Sequence, residues 1–347
     1  MKIGLIDVDG HNFPNLALMK ISAYHKSLGD DVGFVDTYME HYDKVYISKV
    51  FCDEYSEIDM TCINADQIVY GGTGFAITIE NGKEVYHKKL DPVLPDEIEH
   101  QYPDYSLYSE FTKNKAYGFL TRGCCNNCSF CIVSQKEGLC SIKVADLSEW
   151  WNGQKEIILL DPNILACRDR KNLLQQLIDS KAKIDFTQGL DARFITEEIA
   201  EMLKKCNTKM WHFAFDFMKN EKAIISGLKT FIKVVNPNRR SCFVYCLTNF
   251  DTQFSEDYYR VVKVREVGLD PDIRVYRKTS LPKRHILRDL QRWCNNRVIY
   301  YSNPDFWEYA PRSDGKTMKE TYPKHYADWI KYAKENGVLR LWTTQAK

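Results

Sequence analysis

The first third of the chain alternates short apolar runs with amphipathic stretches. An apolar run over Lys2–Asp7 predicts a buried strand, and apolar positions at helical spacing predict a helix over Asn15–Leu28. Further apolar runs predict strands over Asp31–Asp36, Lys44–Ser48 and Gln67–Tyr70. Strands interrupted by a helix in this order indicate a doubly wound α/β domain.

The pattern breaks between residues 91 and 104. Pro92, Pro95 and Pro103 stand there among acidic residues, a composition that suits neither a helix interior nor a central strand. We therefore predict a linker in this segment and a first domain that covers residues 1–105.

Six apolar runs recur beyond the linker, with amphipathic stretches between them. The predicted strands span Tyr117–Thr121, Glu156–Leu160, Lys183–Thr187, Met210–Phe215, Cys242–Leu247 and Asp272–Tyr276. The predicted helices span Lys171–Ser180, Thr196–Cys206 and Glu221–Phe231. Strands that alternate with helices in this way indicate a partial (β/α)6 barrel of the TIM type over residues 106–300, in which the ends of the strands carry the chemistry. The remaining residues, 301–347, are predicted to pack as a helical cover through their aromatic side chains, which include Trp307, Tyr309, Tyr322, Tyr326, Trp329 and Trp342.

Composition and charge narrow the classes of function. The chain has 347 residues with 48 Lys+Arg against 47 Asp+Glu, and this balance gives no electrostatic reason to expect a nucleic-acid partner. Neither a leader peptide nor an apolar stretch of about 18 residues is evident, so we expect a cytoplasmic protein without a membrane partner. A reducing compartment keeps thiols reduced, so the 12 cysteines point to a metal and not to a disulfide framework.

Three of these cysteines lie close together after the first predicted barrel strand. Cys124, Cys128 and Cys131 have the spacing Cys-x3-Cys-x2-Cys, which can supply thiolates to three irons of a cubane and leave the fourth iron open. A structural zinc site is normally closed by four ligands, and no second pair at short spacing stands out. Cys125 is off the spacing and is interpreted as a packed or incidental thiol.

The segment Thr121-Arg-Gly-Cys-Cys-Asn-Asn-Cys-Ser-Phe-Cys131 resembles the signature of the radical S-adenosylmethionine (SAM) superfamily. The resemblance implies a [4Fe-4S] cluster on Cys124, Cys128 and Cys131 whose open iron binds SAM. It further implies that one electron, from a reductant such as flavodoxin or ferredoxin, splits a carbon-sulfur bond of SAM. The 5′-deoxyadenosyl radical then abstracts hydrogen from a small substrate. Phe130 would lie beside the adenine.

Other cofactor contacts are expected at the ends of the next strands. Asp161 and Asn163 follow the second barrel strand, where the superfamily receives the methionine amino group, although the Gly-Gly-Glu wording is absent. Helix capping is the alternative for both residues. Gln188, Asp191 and Arg193 follow the third strand. Arg193 is suited to clamp the methionine carboxylate, or else forms a surface ion pair with Glu197.

Polar candidates continue on the fourth and fifth strands. Period-2 alternation puts His212 and Asp216 on one face, where Asp216 is a candidate for contact with ribose or substrate. His212 is either a substrate contact or a core histidine. Tyr245 and Asn249, near the end of the fifth strand, are further substrate candidates.

The segment Asp7-Val-Asp-Gly-His-Asn-Phe-Pro14 resembles the loop of cobalamin-binding domains that supplies a histidine to cobalt. Ser48 and Gly71-Gly72 stand where those domains have a serine loop and a glycine pair, but Pro14 replaces the loop's glycine. The resemblance implies a Rossmann-like, cobalamin-binding-like domain whose binding of cobalamin stays an open alternative. Without cobalamin, the side chains expected to touch the substrate are those of Asp9, His11 and Asn12.

The organisation of the chain is similar to that of the queuine lyases of anaerobic bacteria, which implies cleavage of a 7-deazaguanine base in queuosine salvage. Such a base would need a carboxylate at its amidine-like edge, and Asp216, Asp191 and Asp9 are candidates. One alternative is a cobalamin-dependent radical SAM methyltransferase. Another, of a different class, is a non-catalytic zinc-binding module.

Overall fold

The computed structural model of the protein describes residues 1–10, 13–35, 40–58, 63–80 and 83–338. The chain is a mixed α/β protein with parallel sheets and divides into two compact units. The first unit comprises Met1–Gln188 with Cys206–Thr208, and the second comprises Gly189–Lys205 and the chain from Lys209 onward. The predicted domain boundaries near residues 105 and 300 stay predictions. No helix among the described residues is long and apolar enough to cross a bilayer.

A four-stranded parallel sheet with the order β2-β1-β3-β4 opens the first unit. Its strands are β1 (Lys2–Asp7), β2 (Asp31–Phe34), β3 (Tyr42–Ser48) and β4 (Ala65–Gly71). The four predicted strands are thereby confirmed, and only the predicted end at Asp36 lies outside the described residues. Both faces of this sheet bury apolar side chains, as expected for parallel strands.

Helix α1 (Leu16–Ser27) covers one face of this sheet, and Asn15 caps it by accepting a hydrogen bond from the Leu18 amide. Leu18 of the helix is fully buried against Leu5 of β1 in one apolar cluster. The opposite face buries Val45 of β3 in a second cluster. These two layers leave the carboxyl ends of the strands as the edge at which the loops meet.

A hairpin and several short helices follow the sheet. The hairpin consists of β5 (Ile77–Glu80) and β6 (Lys83–Tyr86) and was not predicted. The proline-rich segment predicted as a linker contains one helical turn, α2 (Asp96–Glu99), which begins directly after Pro95 because a proline is tolerated at a helix start. Helix α3 (Ser109–Thr112) follows.

The first unit also contains the parallel strands β7 (Lys115–Gly118), β10 (Glu156–Leu159) and β11 (Lys183–Phe186), with β10 in the middle. Between β7 and β10 lie β8 (Thr121–Arg122), helix α4 (Val133–Glu137) and β9 (Ile142–Lys143), and α5 (Arg170–Ser180) follows β10. The prediction of one continuous strand over Tyr117–Thr121 was wrong. The strand ends at Gly118 because the amides of Leu120 and Thr121 donate to the Asp161 carboxylate.

The second unit has parallel strands in the order β12-β13-β14. The first residue of β12, Thr208, belongs to the first unit. They are β12 (Thr208–Ala214), β13 (Cys242–Thr248) and β14 (Asp270–Val275). Helix α6 (Glu197–Lys205) precedes β12, α7 (Glu221–Val235) lies between β12 and β13, and α8 (Phe254–Val267) lies between β13 and β14. One face is apolar, with Phe213 packed 4.9 Å from the Phe231 ring of α7, and the other has half-buried polar side chains.

The last part of the described chain is helical and aromatic, and the cover predicted for residues 301–347 stays a prediction. Its helices are α9 (Ile286–Asn295), α10 (Arg297–Ser302), α11 (Met318–Thr321) and α12 (Pro323–Glu335). Trp329 of α12 is buried, and its ring packs edge-to-face on that of Tyr258 at 4.7 Å. Trp342, which was predicted to take part, lies outside the described residues.

Candidate functional site

The three predicted cluster cysteines lie on one loop of the first unit, between β8 and α4. Cys124, Cys128 and Cys131 are half-buried thiols, whereas Cys125 is exposed. The Cys131 amide donates to the Cys128 carbonyl at 3.0 Å and closes a turn between the last two of these cysteines. Within the described chain, no group of three or more His, Cys, Asp or Glu side chains could hold a metal ion. A cubane makes a different demand from a single ion, because each thiolate binds its own iron.

A buried carboxylate holds the entrance of this cysteine loop. Asp161, at the end of β10, is 4% exposed and accepts the Leu120 amide at 3.1 Å. It also accepts the amide and the hydroxyl of Thr121, at 2.5 and 2.6 Å. Asp161 and Thr121 are 40 residues apart in sequence, so these bonds connect the end of β10 to the backbone that leads into the cysteines. The structure therefore gives Asp161 a role in positioning the loop, and its predicted contact with SAM stays a prediction.

Burial raises the pKa of Asp161 to about 6, against the opposing effect of its bonds to Thr121 and Leu120. Between about pH 4 and pH 6 the folded protein keeps a proton that the unfolded chain has released, so the contribution of this group to stability falls as pH rises. We expect Asp161→Asn to remove this fall. The free energy of unfolding, measured with urea on metal-free protein, should therefore fall by roughly 2 kcal/mol more in wild type than in the variant between pH 4.5 and pH 7. The same dependence of the free energy of unfolding on pH in variant and wild type would contradict the raised pKa of Asp161.

A second carboxylate holds the other side of the loop. Glu137, at the end of α4, accepts Nη1 of Arg122 at 2.9 Å and the amide of Gly123 at 3.0 Å. The next residue, Gly138, accepts the amide of Cys124 at 3.1 Å through its carbonyl. The backbone just before and at the first cysteine is therefore hydrogen-bonded to both β10 and the end of α4.

Gly123 is required by this close packing. Its φ of +83° favours glycine, and a Cβ there would lie 2.2 Å from the Cys140 carbonyl oxygen. Gly153 has nearly the same φ, +84°, but nothing lies within 4 Å of a Cβ built there.

We therefore expect Gly123→Ala to lose about 3 kcal/mol of stability or more, and to take up less iron on reconstitution. Gly153→Ala is the matched control, with a loss of about 1 kcal/mol because only the backbone is strained. Thermal unfolding and iron content per chain measure the two effects. Equal losses in the two variants would show that the contact with Cys140 is unimportant.

Two N–H groups point at the sulfur of the first cysteine. The amide of Asn126 donates to Sγ of Cys124 at 3.4 Å, and Nδ2 of Asn163 donates to the same sulfur at 3.6 Å. Such donors stabilise the negative charge of a metal-bound thiolate. Three thiols on one loop, two hydrogen-bond donors on one of them and a backbone held on both sides therefore fit a [4Fe-4S] cluster. The other expected cofactor contacts of this unit are Phe130, which is half-buried, and Gln188, which is exposed.

Predicted site residues of the second unit form contacts of their own. Arg193 makes a two-pronged ion pair with Asp191, with Nε at 2.9 Å from Oδ1 and Nη2 at 2.6 Å from Oδ2. The alternative partner predicted for Arg193, Glu197, forms an ion pair with Lys233 at 2.9 Å. The guanidinium of Arg193 is therefore positioned by a carboxylate two residues away.

The remaining candidates lie on the half-buried face or at the carboxyl ends of β12 and β13. The His212 ring stacks on that of Tyr245 with a centroid distance of 5.3 Å and an interplanar angle of 25°. Asp216 accepts the Leu247 amide at 2.8 Å, and burial raises its pKa. Asn249 has a left-handed φ of +65°, and its Nδ2 donates to the Tyr276 carbonyl at 2.8 Å. Asp216 and Asn249 thus connect neighbouring strand ends, whatever ligand they also contact.

The residues of the first unit that resemble a cobalamin-binding loop form contacts with other residues of the protein. Asp9 accepts the Val50 amide and the Ser56 hydroxyl, while Ser48 accepts Nδ2 of Asn15 at 2.8 Å. A Cβ on Gly72 would lie 2.4 Å from the Lys49 carbonyl oxygen, so this glycine serves a contact between two loops of the protein. His11 and Asn12 lie outside the described residues. These contacts give cobalamin no support.

Three residues that matter for these sites were not predicted. Arg122 and Glu137 flank the cysteine loop, and Arg260 of α8 is fully buried beneath the strand ends of the second unit. Arg122 belongs to the quoted cysteine segment, and Glu137 and Arg260 lie in helices, where charged residues are common, so nothing in the local pattern gave these three side chains a role. A buried position for Arg260 could have been suspected only from the apolar side chains around it in the helix.

This chain matches no protein-family model and no curated protein.

Proposed function

We propose that this protein is a radical SAM enzyme in which Cys124, Cys128 and Cys131 hold a [4Fe-4S] cluster. The observation that carries the proposal is the cysteine loop itself, with three thiols at the superfamily spacing and a backbone held by Asp161 and Glu137. When bound, the cluster would supply the electron that splits a carbon-sulfur bond of SAM. The matching fold proposal is a Rossmann-like domain followed by a partial (β/α)6 barrel.

The residues of the chain would serve this reaction by holding and orienting. The carboxylates of Asp161 and Glu137 hold the backbone that leads into the first of the three cysteines. Arg193, already oriented by Asp191, has the planar fork that a methionine carboxylate requires. Phe130 offers an aromatic face for the adenine.

For the substrate we propose a planar base, with queuine as the specific candidate and lysis as the reaction. Support comes from the stacked rings of His212 and Tyr245 on the half-buried face of the second unit's sheet. Asp9, Asp191 and Asp216, the carboxylates suggested for the base edge, each already accept hydrogen bonds from the chain. The stacked rings of His212 and Tyr245 are therefore the observation that supports this substrate.

Anaerobic reconstitution with iron and sulfide tests the enzyme proposal. We expect about four irons per chain, a broad charge-transfer absorption band, and release of 5′-deoxyadenosine once SAM and a strong reductant are added. Colourless protein that binds one zinc would instead support the zinc-binding module. A corrinoid spectrum together with methyl transfer would support the methyltransferase. Product analysis with a panel of purine and 7-deazapurine bases then tests the substrate.

A further inference from the structure

The side chain of Asn163 is aimed at a cluster sulfur. Asn163 follows β10, is 3% exposed, and donates from Nδ2 to Sγ of Cys124 at 3.6 Å. Its backbone carbonyl accepts the Ala166 amide at 3.2 Å, so a short 3₁₀ turn holds the residue in place. Asp161, two residues earlier, holds the backbone that leads into the same loop. One segment after β10 therefore fixes both the entry of the cysteine loop and a donor on its first sulfur.

We propose that Asn163 is a positioning residue that sets the reduction potential of the cluster through its hydrogen bond to Cys124. The inference rests on the proposed function, because it requires the cluster. Of the two donors to this sulfur described above, the Asn126 amide belongs to the backbone and Asn163 is the side chain. A substitution at Asn163 thus changes the hydrogen bonding of the sulfur without changing a ligand.

The direction of the effect follows from charge. Reduction adds one negative charge, part of which resides on the sulfurs, so an N–H donor stabilises the reduced cluster more than the oxidised one. Removal of the donor should make the cluster harder to reduce. Because the donor binds the sulfur in both redox states, the shift is the difference between the two bond strengths, and we expect a change of up to about tenfold in the equilibrium constant for one-electron reduction, or about 59 mV.

This role differs measurably from the contact with the methionine amino group that the sequence suggested. A residue that only binds SAM would change the affinity for SAM and leave the potential of the SAM-free cluster unaltered. A residue that acts through Cys124 changes the potential with no SAM present. The potential of the SAM-free protein is therefore the decisive quantity.

The experiment is a redox titration followed by electron paramagnetic resonance, on reconstituted wild type and three variants without SAM. Asn163→Leu removes the donor, and Asn163→Asp keeps the size but replaces the donor with a carboxylate. Asn152→Leu, at an exposed position before β10, is the control. We expect an equilibrium constant up to about tenfold lower for Asn163→Leu, a still lower one for Asn163→Asp, and the wild-type value for the control.

Iron content and circular dichroism distinguish the failures. If wild-type protein takes up no cluster, the proposed function itself fails. If wild type loads and an Asn163 variant that loads keeps the wild-type potential, only the present inference is overturned. Should Asn163→Leu fail to fold, Asn163→Ala, which also removes the donor and adds no charge, gives the same reading. Loss of loading in both folded variants would also overturn it, since Asn163 would then serve assembly of the cluster.

Discussion

Cys128→Ala protein, loaded anaerobically with iron and sulfide, is expected to release no 5′-deoxyadenosine from SAM in the presence of a strong reductant. Cys128 is the middle one of the three proposed ligands, and its thiol is half-buried. Removal of one of three thiolates leaves a second cubane iron without a protein ligand, so a stable cluster with one open corner cannot form. The expected effect is complete loss, measured by chromatography of the reaction mixture.

Cys125→Ala is the matched control, because it removes a thiol from the same loop. Cys125 is exposed, and its sulfur donates to the side chain of the adjacent Asn126 at 3.7 Å. We expect this variant to bind the same amount of iron as wild type and to release 5′-deoxyadenosine at the wild-type rate. Activity in Cys128→Ala, or loss of activity in Cys125→Ala alone, would reject the assigned ligand set.

Arg260→Met is expected to destabilise the second unit by about 3–5 kcal/mol. Arg260 is 0% exposed and forms an ion pair with Asp257, which is 1% exposed, at 2.5 Å. Its Nη1 also donates to the carbonyls of Phe215 and Asp216, and its Nη2 to that of Leu247. The substitution leaves a buried carboxylate and three carbonyls without these donors, at the strand ends where Asp216 is located.

Urea unfolding monitored by tryptophan fluorescence measures this loss. Lys263→Met, on the same helix, removes a partly exposed ion pair with Glu266 and should cost less than about 0.5 kcal/mol. The double substitution Arg260→Met with Asp257→Leu removes both buried charges and should recover part of the stability. A loss no larger than that of Lys263→Met would mean that Arg260 does not hold the strand ends together.

The elements of the fold could be predicted where the apolar pattern was decided locally. β1 was predicted with its observed bounds, Lys2–Asp7, because its apolar run is followed directly by the polar Asp7, which is the last residue of the strand. The strand after the linker was predicted with the wrong end. Leu120 and Thr121 are both buried and would be compatible with a continued strand, but their amides bind Asp161 instead of a neighbouring strand. Such competition between hydrogen-bond partners is invisible in a hydropathy pattern.

The candidate site was predicted in part for the same reason. The spacing of Cys124, Cys128 and Cys131 is a local property, and so it could be interpreted directly. Asn163 and Asp161 were recognised as candidates by their position after a strand, but their partners were not. The structure connects them to Cys124 and Thr121 across about 40 residues of chain.

The sequence by itself determined the alternation of strands and helices and the three thiols at cluster spacing, because each depends on residues close together along the chain. Only the tertiary structure decided which side chains hold the backbone that leads into the cysteines and which one donates to the sulfur of Cys124. Asp161, Glu137 and Asn163 reach the cysteine loop through folding that brings distant segments into contact. A buried polar group needs a partner, and which partner it finds depends on packing in three dimensions.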